Sequence, residues 1–441
     1  MERVLIASRG EMARRLIRFF KERDIETVSV FSEVDVEGPW VEEADYDMYL
    51  NGRTVDDTYM HPRRIVSAAM DAGCDAIHPG CNFLAERPEL FDIAIAANIP
   101  VIGADPKALM RVQDRMGLRA AASELGIPLI PASDVIPEAE DGIAAGAQLG
   151  FPLFVKSVAA GIFRVVNSQE ELPSAMAAMR DLSQKLEGDR RVYLERAVGR
   201  MRHIGTVVVG DHHGATAFLG HTDGSIKANY HTWIEEMGTE VVGGDLPERL
   251  GDAAVYLSQK LGWTGVGRVS WALTPDGGWY LLGFSCRLTS GFSLVEQVYG
   301  IDLISTQMRV CTGNPLDWDG MASQPNKFGL QLRILHVDPA DMSRPEGMIE
   351  NLGAPEGDGV TMEWGTDIGF ECNADTDPVL GKLTVTGPTR HAAIVRAKAA
   401  LAEVIVEGVP TNKDVLMDVL GDNAFWKREQ DSTTLPRLLG N

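Results

Sequence analysis

Gly267-Arg268-Val269-Ser270-Trp271 and Trp279-Tyr280-Leu281-Leu282-Gly283-Phe284-Ser285-Cys286-Arg287 flank the segment Thr274-Pro275-Asp276-Gly277-Gly278. Two apolar runs rich in aromatic and branched residues, separated by Pro, Asp and paired Gly, specify a β-hairpin. Proline fixes φ, and glycine adopts backbone angles that a Cβ forbids, so the turn is local chemistry. A lone hairpin is marginal in water, so other segments of the chain must supply the sheet in which it packs.

The chain has 441 residues, too many for one ordinary core, which points to two or three domains. With 45% hydrophobic and 24% charged residues it has the composition of a soluble globular protein. No apolar run approaches the ~20 residues that span a bilayer. Met1-Glu2-Arg3-Val4-Leu5-Ile6-Ala7 enters a strand-like run directly and lacks the form of a signal peptide. Cys74, Cys81, Cys286, Cys311 and Cys372 are scattered without a CxxC pair, which argues against structural zinc and a disulfide framework. A reducing cytoplasmic location is the expectation. The net charge of −22 argues against nucleic acid or an anionic membrane as partner.

Residues 2–7 read as a strand, turned by Ser8-Arg9-Gly10-Glu11 into a helix with Met12, Leu16, Ile17 and Phe20 on one face. Thr27-Val28-Ser29-Val30-Phe31 is the next strand, and Ala76-Ile77 and Val101-Ile102 extend a parallel, doubly wound sheet. Gly10 stands alone, so a dinucleotide fingerprint is absent. Helices are expected near 107–125, 138–149 and 294–313, and Ser168-Gln169-Glu170-Glu171 has capping-box spacing for a helix reaching about Leu186. Phe151–Lys156 and Arg191–Arg196 read as strands, as do 204–209 and 215–220 around Asp211-His212-His213-Gly214. Adjacent histidines in an extended loop point apart, so that pair reads as solvated rather than as a metal site.

Ser8-Arg9-Gly10-Glu11-Met12-Ala13 and His78-Pro79-Gly80-Cys81-Asn82-Phe83-Leu84-Ala85-Glu86 resemble, in order and spacing, two motifs of the biotin carboxylases. The second is close to that family's His-Pro-Gly-Tyr-Gly-Phe-Leu-Ser-Glu. Asp375–Leu383 and Gly408-Val409-Pro410-Thr411-Asn412 continue the resemblance toward the C-terminus. It implies an α/β chain (α+β overall) with the three-domain ATP-grasp fold. The parts are an N-terminal doubly wound parallel sheet in 1–110, an ATP-grasp domain in 111–315 with a lid at about 130–200, and a C-terminal domain in 325–441.

The resemblance also implies where the chemistry should lie. The opening hairpin corresponds to the strand pair that carries a Glu and a Glu-x-Asn to hold magnesium on nucleotide phosphates, and those positions read Ser270, Gly283 and Ser285. Lys156 matches a phosphate lysine and Arg115 stands where the family has another. Glu195 and Arg196 stand at the adenine hinge, where Arg196 replaces a lysine. The lid's run of glycines becomes Ser157-Val158-Ala159-Ala160-Gly161-Ile162-Phe163-Arg164. In the family's basic cluster Tyr230 and Thr232 replace groups that contact phosphate and bicarbonate, with His231 one position out of phase. The catalytic loop keeps Arg287, but Gly291 replaces its general base; Arg333 matches a second arginine that grips substrate anion. Asp276, Glu235, Glu236 and Glu296 read as poor replacements for the missing carboxylates.

Arg115, Lys156, Arg196, His203, Arg287 and Arg333 therefore form a basic set that the resemblance would gather around one cleft. The bland reading makes them structural ion pairs; the sharper one makes them an anion pocket. Losing metal ligands, lid and base together implies a catalytically silent structural or regulatory subunit of a biotin-dependent acyl-CoA carboxylase. Its partners would be biotin carboxylase, biotin carboxyl carrier protein and carboxyltransferase subunits, in a homodimer or heterodimer. ATP or ADP would bind, if at all, without magnesium, and biotin would arrive only on a partner carrier. The alternatives are an active ATP-dependent carboxylase with relocated groups and a small-anion-binding sensor.

Overall fold

The computed structural model describes residues 1–441 except 138, 159–161, 229–230, 239–240, 317–324, 326 and 441, and except the side chains of 139, 140 and 187. The N-terminal sheet is parallel, with strands β1 (Arg3–Ile6), β2 (Glu26–Phe31), β3 (Tyr46–Tyr49) and β4 (Ala76–His78) in the order β3-β2-β1-β4. Val4, Leu5 and Ile6 are buried, as a strand covered on both faces requires. The helix Gly10–Lys21 buries Met12, Leu16, Ile17 and Phe20. The strand expected at Val101-Ile102 shrinks to a single parallel bridge from Val101 to Ile77. Pro100 has no N–H to donate to a ladder.

Two helix boundaries also differ from expectation. The segment 107–125 is two helices, Pro106–Gln113 and Arg115–Glu124, parted at Asp114, whose carboxylate accepts the Gly117 N–H at 3.1 Å. The Ser168 capping box is unused. That helix is Leu172–Glu187 with Pro173 in its first turn, and the Glu171 carboxylate instead accepts the Asn167 N–H at 3.0 Å.

Strands β5 (Leu153–Ser157), β6 (Phe163–Val166) and β7 (Val192–Arg196) form a small antiparallel sheet in the order β6-β5-β7. The main sheet unites the rest of the chain. Its strands are β8 (Arg202–Gly210), β9 (Thr216–Ala228), β10 (His231–Met237), β11 (Gly265–Leu273), β12 (Trp279–Ser285) and β13 (Phe328–Leu335), followed by two later ones. Between and after these lie β14 (Gly347–Met348), β15 (Asn351–Gly353), β16 (Val360–Trp364), β17 (Glu371–Cys372), β18 (Val379–Gly387) and β19 (Ile405–Glu407). Among the described residues the main sheet runs β12-β11-β8-β9-β10-β13-β18-β16, with β14-β17 and β15-β19 as separate pairs. The hairpin β11–β12 is thus one edge of an eight-stranded sheet. Its turn closes through Thr274 N–H to Gly278 C=O at 2.9 Å and Gly277 N–H to Thr274 C=O at 3.0 Å.

Two buried carboxylates tie elements together, one between the sheet and a covering helix and one among helices. Glu236 on β10 accepts a bidentate pair from Arg390, at 2.7 and 2.8 Å, at the start of the helix Arg390–Glu403. Glu296 in the helix Phe292–Tyr299 accepts the Leu303 N–H at 2.8 Å and faces Arg15 at 3.4 Å. Burial pushes Glu296 up to about 7, outweighing the pull of Arg15.

Both pairs can be tested. Arg390→Met leaves Glu236 buried without its guanidinium and should lower unfolding free energy by about 3–5 kcal/mol in urea titrations. For Glu296, the folded state holds its proton to higher pH than the unfolded chain does. Its contribution should be fully favourable below about pH 4.5 and decline as pH rises toward 7. Glu296→Gln should remove that slope, seen as the difference between the two proteins' stability–pH curves.

Candidate active site

Register fixes which side chains share the hairpin's face. Ser270 lies directly opposite Gly283 and Arg268 opposite Ser285, with an irregularity only beyond Ser270. Opposed residues point to one side, as do residues two apart along a strand. Ser270 also faces Gly205 on β8, which faces Thr222 on β9. Ser270, Gly283 and Ser285 line a cavity of about 600 Å³, together with Glu86, Gln113, Arg115 and His203. The three positions assigned to metal ligands by resemblance therefore do come together in space.

Their chemistry does not fit magnesium. That ion prefers oxygen donors that include one or two carboxylates, and these positions offer two hydroxyls and a bare backbone. The one carboxylate among the described lining residues is Glu86. It is already engaged, by the Arg287 Nε at 3.2 Å and the Cys286 N–H at 2.5 Å. Among the described residues no group of three His, Cys, Asp or Glu side chains is placed to hold a metal. A Cβ at Gly283 would meet open space, so the absence of a side chain there has no steric cause.

The small sheet holds a second set. Lys156 on β5 is ion-paired to Glu195 on β7, and Arg119 reaches the other Glu195 oxygen at 3.1 Å. Burial lowers the Lys156 ammonium from its ordinary value while Glu195 raises it, and Arg115 and Arg119 add to the lowering. Arg196, one residue on, is exposed. Ala159, Ala160 and Gly161 of the lid loop lie outside the described residues, as do Asn229 and Tyr230.

A third set lies on the main sheet. Arg333 on β13 and Arg268 on β11 share Glu235 on β10, at 3.2 and 2.9 Å, and all three are buried. Burial raises the Glu235 carboxyl, but Arg268 and Arg333 overcome this and hold it below its ordinary value. A Cβ at Gly291 would collide with the Glu235 carboxylate. The place left by the missing general base is therefore filled. His203 is pulled well below the usual histidine range by burial, then by Lys227 and Arg268, and is neutral at pH 7. His231 is lowered by burial and by Arg333 and Arg344.

The expected basic set divides by ion-pair partner rather than sharing one cavity lining, with Arg115 close enough to Lys156 to lower it. Arg115 and His203 line the cavity, and Arg287 joins it through Glu86. Lys156 is tied to Glu195, Arg333 is buried on Glu235, and Arg196 faces solvent. The His213 Nε2 is hydrogen-bonded to the Gly313 carbonyl at 2.9 Å, and Asp276 serves its own turn by accepting from Thr274 at 2.5 Å. Sequence reading gave no role to Arg268, Arg119 or Glu86. For Arg268 a signal existed: it stands two residues before Ser270 on the same strand, hence on the same face.

Fold and cavity together define an ATP-grasp architecture. Models of the biotin carboxylase N-terminal domain, the carbamoyl-phosphate synthase L chain ATP-binding domain and the biotin carboxylase C-terminal domain match residues 1–109, 114–318 and 331–437. The chain belongs to the biotin carboxylase family. It is 31% identical over 428 residues to a biotin carboxylase of Halalkalibacterium halodurans, covering 96% of this chain and 95% of that one. It is 30% identical over 437 residues to biotin carboxylase 2 of Bacillus subtilis, covering 98% of each chain. The biotin carboxylase of Campylobacter jejuni, solved as a β,γ-ATP complex, superposes with a TM-score of 0.92 at 28% identity, covering 99% of this chain and 98% of that one. The biotin carboxylase domain dimer of Hydrogenobacter thermophilus 2-oxoglutarate carboxylase gives 0.92 at 27%, with 99% and 98% covered.

Because Gly291 has an ordinary φ of −84°, a side chain there is opposed by space alone. Gly291→Ala should cost about 1–3 kcal/mol of unfolding free energy in the native chain, and clearly less when introduced into a Glu235→Ala background, where the clash is absent. Denaturant titration of the single and double variants measures both.

Proposed function

We propose that this chain is a biotin carboxylase-family subunit that does not itself drive ATP-dependent carboxylation and that serves a biotin-dependent acyl-CoA carboxylase structurally or as a regulator. The observation that carries the reading is the neutral triad Ser270, Gly283 and Ser285 on one face of the hairpin. Phosphoryl transfer rests almost wholly on positioning and on spreading negative charge. A metal's charge stabilisation is worth several kcal/mol, and ~1.4 kcal/mol is tenfold in rate. Glu235, whose carboxylate fills the place of the missing base, is held ionised by two guanidinium groups and is a weak proton acceptor. The partners on this reading are an active biotin carboxylase, a biotin carboxyl carrier and a carboxyltransferase, in the cytoplasm, with dimerisation as in the 2-oxoglutarate carboxylase domain.

A second reading, an active ATP-dependent biotin carboxylase, is favoured by the relatives, which are themselves named biotin carboxylases. Lys156, Arg287 and Arg333 stand at positions that such an enzyme would use. Nothing in the relatives' names speaks for loss of activity, so activity itself decides.

Purified chain should show no ATP hydrolysis that depends on both magnesium and bicarbonate, with or without free biotin. Such hydrolysis, abolished by Lys156→Ala, would establish the second reading. The triple variant Ser270→Glu, Gly283→Glu, Ser285→Asn should gain magnesium-dependent ADP affinity of about tenfold or more in calorimetry, since it restores two carboxylates to the cavity lining, with open space at 283.

A further inference from the structure

The small sheet β6-β5-β7 and the helices Ala139–Leu149 and Leu172–Glu187 form a unit with its own core, in which Leu153, Val155, Val166, Leu172, Met176 and Leu194 pack apart from the two larger clusters. Two short linkers join this lid unit to the rest of the chain, one entering at 128–131 and one leaving at 197–201. The entering linker is held by the hairpin and by the helix before it. The Leu281 N–H donates to the Pro128 carbonyl at 3.0 Å, and Arg119 donates to the Ile130 carbonyl at 2.8 Å.

The leaving linker is held by residues 430–432, from the far end of the sequence. The Ser432 N–H donates to the Met201 carbonyl at 2.8 Å, and the Met201 N–H donates to the Ser432 Oγ at 3.2 Å. That hydroxyl in turn donates to the Gly199 carbonyl at 3.4 Å, and Arg200 is ion-paired to Asp431. Gln430 is buried and donates to Asp223 at 3.1 Å and to Glu236 at 3.2 Å. Phe425 and Leu435 are buried on either side, so the segment is tethered at both ends. The Ala197 N–H bonds inside the lid unit, to the Pro152 carbonyl at 3.0 Å. Val198 therefore stands between the last bond of the unit and the first bond to the C-terminal segment.

We propose that residues 430–432 are a strap that fixes the pivot of the lid unit. While the strap is seated the unit turns about Val198, and when the strap is drawn away the whole leaving linker is free to swing. A hinge is a few loop residues that absorb the change in backbone angle, so pinning their neighbours sets where that change falls. The consequence reaches the candidate site. Glu195, on β7 just before Val198, takes Lys156 from within the unit and Arg119 from outside it. A wandering pivot parts Glu195 from Arg119, so the C-terminal segment governs the setting of Lys156 without touching it. The strap goes beyond the proposed function and holds whether or not the chain carboxylates.

Trypsin digestion of the folded full chain reads the linker directly, because Arg196 and Arg200 flank Val198 and are both exposed. Cleavage needs local opening, and its rate follows the population of the opened form when opening is fast. Asp431→Ala/Ser432→Ala should be cut after Arg196 or Arg200 about tenfold or more faster than the native chain, with the fragments identified by mass. Deuterium exchange should rise at 197–201 while the amides of β5 and β7 stay protected, because the core of the lid unit is untouched. Arg437→Ala removes a neighbouring pair, with Asp422, and should leave the cleavage rate within about twofold. Should the double variant fail to fold, Ser432→Ala is read in its place; it keeps the backbone bond, loses both bonds of the hydroxyl, and should speed cleavage about threefold. Linker cleavage at the native rate in the folded variant, or acceleration spread evenly over trypsin sites throughout the chain, would overturn the proposal. ATP hydrolysis dependent on magnesium and bicarbonate bears on the proposed function alone, so the two failures are separately visible.

Discussion

The ladder between β10 and β13 joins the strands that carry the hairpin to those of the C-terminal region. Ile234 pairs with Leu332, Glu235 with Gln331, Glu236 with Leu330 and Met237 with Gly329. Those four pairings make one continuous sheet, and every charged side chain of the main-sheet site takes its place from that register. A slip of one residue would turn Glu235 away from Arg268 and Arg333 and put Glu236 in its stead. Glu236 would then lose Arg390, which needs it on the opposite face. Alternating carboxylates on a single strand thus serve two faces at once, one facing the site and one facing the helix that covers the sheet.

Positive charge in this protein is distributed in a way that its overall balance of −22 conceals. Five cations of the site neighbourhoods are paired to carboxylates from other elements: Lys156 and Arg119 to Glu195, Arg287 to Glu86, Arg268 and Arg333 to Glu235. All but the half-exposed Arg287–Glu86 pair are largely buried, and buried pairs add little net stability against desolvation while breaking one is expensive. They hold geometry. The pairs also mean that an incoming anion competes with internal carboxylates. Gly291 and Gly205 are the two glycines that make this arrangement possible, since a side chain at either would occupy the space of Glu235 or Arg268.

The hairpin, its turn and the alternation of β1 with the helix Gly10–Lys21 were legible because they rest on local rules: apolar periodicity, Pro and Gly at a turn, a bare glycine at a helix start. The motifs around Gly10 and His78 placed the chain in its family, and the hairpin's neutral residues at 270, 283 and 285 were visible as letters. At Asp114 and Ser168 one local signal overrides another. There a side-chain cap and a first-turn proline moved helix boundaries that spacing alone had set elsewhere.

Composition, turn chemistry and motif order are properties of residues near one another in the chain, so the sequence by itself determined the architecture and the identity of the missing carboxylates. The partners of the remaining charges belong to tertiary structure alone. Glu235 meets Arg268 across 33 positions and Arg333 across 98. Glu86 meets the Cys286 N–H across 200. No periodicity encodes separations of that kind, because they are set by strand order in the sheet. Only the assembled sheet decided that the place of the missing base is filled, and that Arg268 of β11 reaches across β8 and β9 to Glu235 of β10.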